Sequence, residues 1–194
     1  MARHCNFDRK EKLILAMELF WQKGYAQTSI ADLVAKLDIN RFSLYNSFGD
    51  KLTLYREALE YYLSQYSFPS LHAYLHENAN LTDIEQYLSR FVEMQKEQKY
   101  GCFLQNAVLE KCLDDECVQQ ACQRLFEQLQ QRFTEALLRS QTQGKLIDSA
   151  EPVAISAFLL MQLQGIRVLG KASQYEVLAN AHQVLQGYLN GLKR

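Results

Sequence analysis

Proline is nearly missing from this chain, with two residues in 194, and its eight glycines are scattered. Stretches rich in Leu, Gln, Glu, Ala and Lys therefore run uninterrupted, and these are good helix formers. Period-two strand patterning and internal repeats are also lacking, so the fold class expected is all-α. No apolar run reaches the roughly 18 to 20 residues that cross a bilayer, and Met1 to Lys12 is polar and of mixed charge rather than a secretory leader. The expectation is a cytoplasmic protein with no membrane partner. Five cysteines are an odd number in a chain that is 48% hydrophobic, which argues for free thiols over a secreted disulfide framework.

Catalytic signatures are lacking too. The chain has no Walker phosphate loop, no Rossmann glycine fingerprint, no metalloprotease His-Glu pattern and no nucleophile constellation, so it reads as a non-enzyme without a cofactor. Cys112, Cys117 and Cys122 recur at intervals that set neighbours about 140 degrees apart on one helix. His72, His76 and His182 add no linked set, and no metal site is expected. Charge of one sign is scarce as well, the formal net charge being −1. It is unevenly placed: residues 1 to 56 carry nine Lys or Arg against six Asp or Glu, and residues 61 to 194 carry twelve against fourteen. A modestly positive end joined to a slightly acidic body is compatible with DNA binding.

The helices can be placed one by one. Leu13, Ile14, Met17, Phe20 and Trp21 recur at helical spacing from Arg9 to Lys23, with Gly24 as the stop. Thr28 or Ser29 caps a second helix, in which Ile30, Leu33, Val34 and Leu37 form the stripe and Asp38 takes the left-handed turn. Asn40 caps a third, Arg41 to about Ser47, too short to stand alone. Gly49-Asp50 breaks and recaps the chain, and Lys51 opens a fourth helix reaching about Gln65, which Phe68-Pro69 ends or kinks. Further helices are expected at Ser70 to Glu77, Leu81 to Glu97, Phe103 to Leu113, Glu116 to Thr142, Pro152 to Lys171 and Gln174 to Leu192. Asp148 to Pro152 combines a cap oxygen, a carboxylate and a proline as a start signal.

Helices two and three have helix-turn-helix spacing. A recognition helix presents polar or basic side chains to base edges while hydroxyls and cations hold phosphates. Asn40, Arg41, Ser43, Asn46 and Ser47 crowd into one short window. Arg41 suits guanine edges or phosphate, and Asn46 suits adenine. Thr28, Ser29 and Lys51 sit at helix N-termini that favour a phosphate oxygen, and Tyr45 adds a phenolic donor. Helix capping is the competing role for Thr28, Ser29 and Asn40, and plain solvent exposure for Arg41 and Lys51. Phe42 has three open readings: packing inward, contacting a thymine methyl, or covering the first helix.

The stretch FWQKGYAQTSIADLVAKLDINRFSLYNSFGDK, Phe20 to Lys51, resembles the N-terminal domain of tetracycline-repressor (TetR) family regulators. The resemblance rests on Phe20, Gly24-Tyr25, Thr28-Ser29-Ile30, Ser43-Leu44-Tyr45, Phe48 and Lys51. It implies a three-helix DNA-binding domain at residues 1–50 followed by a helical ligand-sensing and dimerisation domain at 51–194. It also implies a homodimer closed by the last two helices, with palindromic operator double-stranded DNA as partner. Carried residue by residue, it places DNA contacts at Thr28, Ser29, Asn40, Arg41, Ser43, Tyr45 and Lys51. Asp38, Phe42 and Ser47 depart from the family's usual glycine, small residue and Tyr or His. Farther on, Gly101 to Ala107 followed by Glu110 resembles a Gly-Cys-hydrophobic segment of one branch.

The effector expected is a small molecule or an electrophile. Cys102, Phe103, Asn106, Phe126, Phe158 and Gln162 are the candidate ligand or redox-sensing residues, as part of an aromatic-rich set that equally describes an ordinary core. Cys102 beside Gly101 at a helix N-terminus, with Lys99 nearby, is the sharpest thiol; a buried, inert cysteine is the alternative. The function expected is a ligand-responsive repressor. A helical protein-interaction adaptor and a small helical enzyme are the alternatives, and salt-dependent binding to one palindromic DNA separates it from both.

Overall fold

The computed structural model describes residues 7–98 and 100–194 and is helical throughout: α1 (Arg9–Lys23), α2 (Ile30–Leu37), α3 (Arg41–Phe48), α4 (Lys51–Tyr62), α5 (Phe68–Tyr74), α6 (Leu81–Glu97), α7 (Phe103–Lys111), α8 (Glu116–Thr142), α9 (Pro152–Lys171) and α10 (Tyr175–Gly191). Among the described residues the β pairing is one isolated bridge, Leu146 to Lys193. The all-α class is as expected. The chain forms two compact units, Met1–Ser67 with Cys102–Cys122, and Phe68–Gly101 with Gln123–Arg194.

In the first unit every head helix starts on a polar cap. Asp8 accepts from the N–H groups of Lys10 and Glu11, Ser29 and Asp32 form a reciprocal capping box, Asn40 accepts from Ser43 N–H, and Asp50 from Thr53 N–H. Each bond satisfies an amide that the helix leaves open. Asp38 ends α2 with φ 51°, the left-handed conformation that Asp accepts more readily than most residues. Helix α1 lies against α2 and α4, and α7 against α4. Tyr55 of α4 is the centre of that packing, its ring meeting Phe20, Tyr25 and Phe103 at 5.1, 5.0 and 5.5 Å. Its hydroxyl is buried with no hydrogen-bond partner among the described residues, and burial pushes its ionisation upward.

The expected break at Phe68-Pro69 takes another form. The backbone adopts a π-helical turn at Leu63–Ser67, and α5 starts at Phe68. Pro69 supplies no N–H and its ring crowds the preceding turn, so a regular α-ladder cannot run through it; the wider turn accommodates that loss. At α9 the proline start is present, yet Glu151 gives no side-chain cap.

In the second unit α6 packs against α5, α9 and α10, and α9 against α10. Ser140 accepts from Leu81 N–H and returns its own proton to Ala136 C=O, satisfying a buried helix start from the side. Gly170 lets α9 approach α6 closely, since a Cβ there would stand 2.5 Å from Gln95 Cβ. Helix α9 differs from the expected absence of membrane-length apolar segments, because it is long and apolar enough to cross a membrane by length and composition. Its sequence carries Gln162, Gln164 and Arg167, and it is packed by α6 and α10.

Asp115 joins the start of α8 to α4. Its carboxylate accepts from Cys117 N–H and meets Arg56 Nε at 3.1 Å, with its side chain 1% exposed. Burial raises its pKa, but the Arg56 guanidinium and the two amides of Cys117 and Val118 outweigh that and hold it below the ordinary carboxylate value. A depressed folded pKa means stability that is complete above the unfolded value and is lost as pH falls through the folded one. Asp115→Asn keeps the cap and loses the charge. It should cost about 1–2 kcal/mol at neutral pH, the half-exposed guanidinium limiting the effect. The deficit should narrow as pH drops from about 5 towards 3, measured by urea denaturation of both proteins across that range; a deficit independent of pH would remove the charge from the account.

Candidate nucleic-acid interface

Helix α3 buries only Leu44 and Phe48. These sit one turn apart, so the opposite side of an eight-residue helix faces outward. Phe42, 73% exposed, and Asn46 form that outer face, and Arg41 and Tyr45, the latter 38% exposed, flank it at the edge of the buried pair. The Arg41 guanidinium lies 5.6 Å from the Tyr45 ring, an arrangement that holds the cation loosely over the helix surface. Asn40 is exposed at the N-cap while its side-chain oxygen holds Ser43 N–H at 2.8 Å. Ser43 itself is half-buried.

The rest of the candidate set is distributed around this face. Ser29 is exposed and shares its hydroxyl with Asp32, whose carboxyl is pulled well below the ordinary range by Lys23 first and Ser29 second. Thr28 lies beneath the surface, fully buried, its hydroxyl donating to Gly24 C=O. Lys51 is half-buried with its ammonium 4.2 Å above the Tyr25 ring. Burial lowers its pKa against the opposing pull of Glu110 and Asp32. Arg9 braces the back of the helix, donating to Ser47 C=O and Glu57 and covering the Phe48 ring at 4.5 Å.

One grip in this unit comes from far along the chain. Glu110 of α7 accepts from Tyr25 N–H at 2.8 Å and Ala26 N–H at 2.6 Å, closing the turn between α1 and α2. Gly24 has φ 82°, a conformation that favours glycine, and a Cβ on it would sit 3.0 Å from the carboxylate and press on that bond. Sequence reading attached no role to Glu110 and left Phe42 open. The available signals were a single acid in the helix FLQNAVLEK and an aromatic amid polar neighbours on α3.

The six candidate sensing residues are divided between the two units, Cys102, Phe103 and Asn106 in the first and Phe126, Phe158 and Gln162 in the second. Cys102 is buried as the N-cap of α7 and makes no side-chain capping bond, while Lys99 lies outside the described residues, as does Cys5. Phe103 is fully buried against Tyr55 and Tyr62, and Asn106 is half-buried on the same helix. Phe158 stacks edge-on against Tyr188 in an open groove of about 420 Å³, and Gln162 lines a smaller groove between α9 and α10. No group of three metal-ligating side chains occurs among the described residues.

These features agree with those of known proteins. Residues 7–58 match the bacterial regulatory proteins of the tetR family, and residues 81–179 match the C-terminal domain of LmrA/YxaF-like transcriptional regulators. The HTH-type transcriptional regulator YezE of Bacillus subtilis is 30% identical over 159 residues, 81% of each chain. The HTH-type transcriptional repressor ComR of Escherichia coli is 25% identical, over 84% of this chain and 79% of its own. A cysteine-substituted form of the TetR family regulator CifR, solved in complex with 26-bp double-strand operator DNA, superposes with TM-score 0.79 and 28% identity over 95% of this chain and 98% of its own. With both ends matched and relatives covered over most of their length, the chain belongs to the TetR family of DNA-binding, helix-turn-helix transcriptional regulators.

Proposed function

We propose that the protein represses transcription as a homodimer that grips palindromic operator DNA with α3 and lets go when a small molecule occupies its second unit. The observation that carries the reading is the outward face of α3, where Phe42 and Asn46, flanked by Arg41 and Tyr45, stand exposed opposite the buried Leu44 and Phe48. Asn40, Ser43, Ser29 and Lys51 flank it as backbone-positioning groups, and Thr28 supports the turn from within. Reversible binding is favoured over an electrophile because Cys102 is buried, the setting of a packing thiol. In this reading the protein works in the cytoplasm and needs no membrane or cofactor.

The second unit supports the dimer. On α9 and α10 the single chain leaves Val153, Met161, Val168, Val177, Val184 and Tyr188 between 41% and 74% exposed. An apolar face of that extent over two neighbouring helices is the surface of a symmetric four-helix bundle. Two-fold pairing would set the recognition helices at half-sites roughly 34–36 Å apart.

The operator is obtained by selecting randomised duplexes with the purified protein, and titrations on it test the contacts. Arg41→Ala should weaken operator binding by about ten-fold or more and relax preference at one position, whereas Lys51→Ala should weaken all duplexes alike and reduce the salt slope by about one. Phe42 should recognise a thymine methyl. Replacing the contacted thymidine by deoxyuridine should weaken the wild type several-fold, about 1 kcal/mol, and leave Phe42→Ala unaffected. Equal losses in both proteins at every thymidine would place Phe42 off the bases.

Glu110 should matter without touching DNA. Glu110→Ala should destabilise the fold by about 1–2 kcal/mol through two uncapped amides and lower operator affinity at unchanged salt slope. Glu110→Gln should recover part of both. Unaltered affinity in a destabilised Glu110→Ala protein would show that the turn is not needed for recognition.

The dimer is tested at Val184, which is 74% exposed in the single chain. Val184→Glu should yield a folded monomer with operator affinity lowered at least about a hundred-fold. Light scattering that found the variant dimeric would move the interface elsewhere.

A further inference from the structure

The second unit encloses a cation for which the chain supplies no counterion. Arg167 of α9 is 5% exposed, yet its hydrogen-bond partner is a neutral one, Gln164 Oε1 at 3.0 Å from Nη1. The Phe91 ring of α6 lies 5.2 Å from its guanidinium carbon. Nε is buried with no acceptor, and among the described residues no carboxylate pairs with the group. Residues 1–6 and 99 contain no Asp or Glu, so no acidic side chain within the single chain fills the role. A guanidinium does not shed its proton inside proteins, so the site cannot neutralise itself as a buried lysine or histidine would. One amide oxygen and one ring offset only part of the cost of taking that charge out of water.

The open part of the guanidinium has a recognisable shape. Nη1 is occupied by Gln164, which leaves the Nε side of the fork, an edge that a carboxylate engages with two parallel hydrogen bonds. The neighbouring side chains on α6 and α9 are apolar or already satisfied. Gln95, 4% exposed, is held by its own bond to Phe91 C=O, and Leu88 and Leu163 lie buried one turn away on the same two helices. A single cation with an aromatic ring and aliphatic neighbours suits one negative charge on an organic body; a phosphate dianion would call for several cations.

We propose that Arg167 is the anchor of a binding site for a small organic monocarboxylate, its carboxylate on the Nε edge and its apolar part along the Phe91 side of α6. This rests on the effector-released reading above and narrows the effector to an acid. The probes are benzoate and hexanoate, each against its neutral amide at constant ionic strength. Binding is followed by calorimetry and melting temperature, and operator release is measured separately.

At least one acid should bind the wild type about ten-fold or more tighter than its amide and raise the melting temperature. Arg167→Met, which replaces the cation with an apolar chain, should melt at or above the ligand-free wild type and bind acid and amide alike. Arg167→Lys should keep part of the acid preference. Acids that bind no better than amides, acids that bind Arg167→Met as tightly as wild type, or no binding by either acid would overturn the site. Tight acid binding without operator release would leave the site standing and reject the effector reading. Release by amides and acids equally would do the reverse.

Discussion

The Glu110 carboxylate on the Tyr25 and Ala26 amides is the constraint on which the DNA-reading end depends. An eight-residue helix such as α3 has too few internal hydrogen bonds to persist alone, so its position comes from the helices around it. Those helices meet at the turn after α1, where Gly24 adopts a positive φ and leaves successive amides pointing outward. A carboxylate from α7 closes that turn from 84 or 85 residues farther along. Lys51 and Lys111 flank the Tyr25 ring of the same turn at 4.2 and 5.3 Å. Moving α7 would therefore disturb the seat of α2 and α3 even if neither helix lost a contact of its own.

That internal bracing also changes how the charge of the head should be read. Of nine basic residues in positions 1 to 56, Arg9, Lys12, Lys23, Lys36 and Arg56 are ion-paired with Glu57, Glu11, Asp32, Glu18 and Asp115. Lys51 is drawn onto Tyr25. Arg41 makes no ion pair among the described residues and stands exposed at the edge of the outer face of α3. The excess of three positive charges counted from the sequence is mostly a set of braces: apart from Lys12–Glu11, which lies within α1, each pair holds one helix to another or completes a cap. In the proposed reading, recognition would lean on a few well-placed contacts more than on a broad positive field, which suits a protein whose net charge is −1.

What was legible in the sequence follows from the range of the forces involved. The Ser29–Asp32 capping box, the left-handed Asp38 and the proline start of α9 are local, so residue types at neighbouring positions reveal them. Phe42 was not decidable because only two side chains of α3 are buried, too few for a periodic signal. Thr28 looked like a surface hydroxyl at a helix start, and only the turn geometry shows it turned inward to Gly24 C=O. Glu110 stood out only as part of a family-like segment, and its role was hidden for the opposite reason: its partners are backbone amides more than 80 positions away, and no pattern in α7 marks them.

Helix α9 shows how composition and environment can part company. Its sequence is apolar enough to suggest lipid, and a lone arginine in such a run would ordinarily be assigned to the wet side. The packing reverses this. Arg167 lies inside with Ile166 and Gly170, while Val153, Met161 and Val168 face out. A helix with apolar groups on two faces needs protein on both, and the α6 side already has it. If a second copy covers the outer face, the charge stays buried beside the Phe91 ring of α6. Dimerisation and binding of an acid would then draw on opposite faces of one helix, so that α9 joins the two without either ligand touching the other.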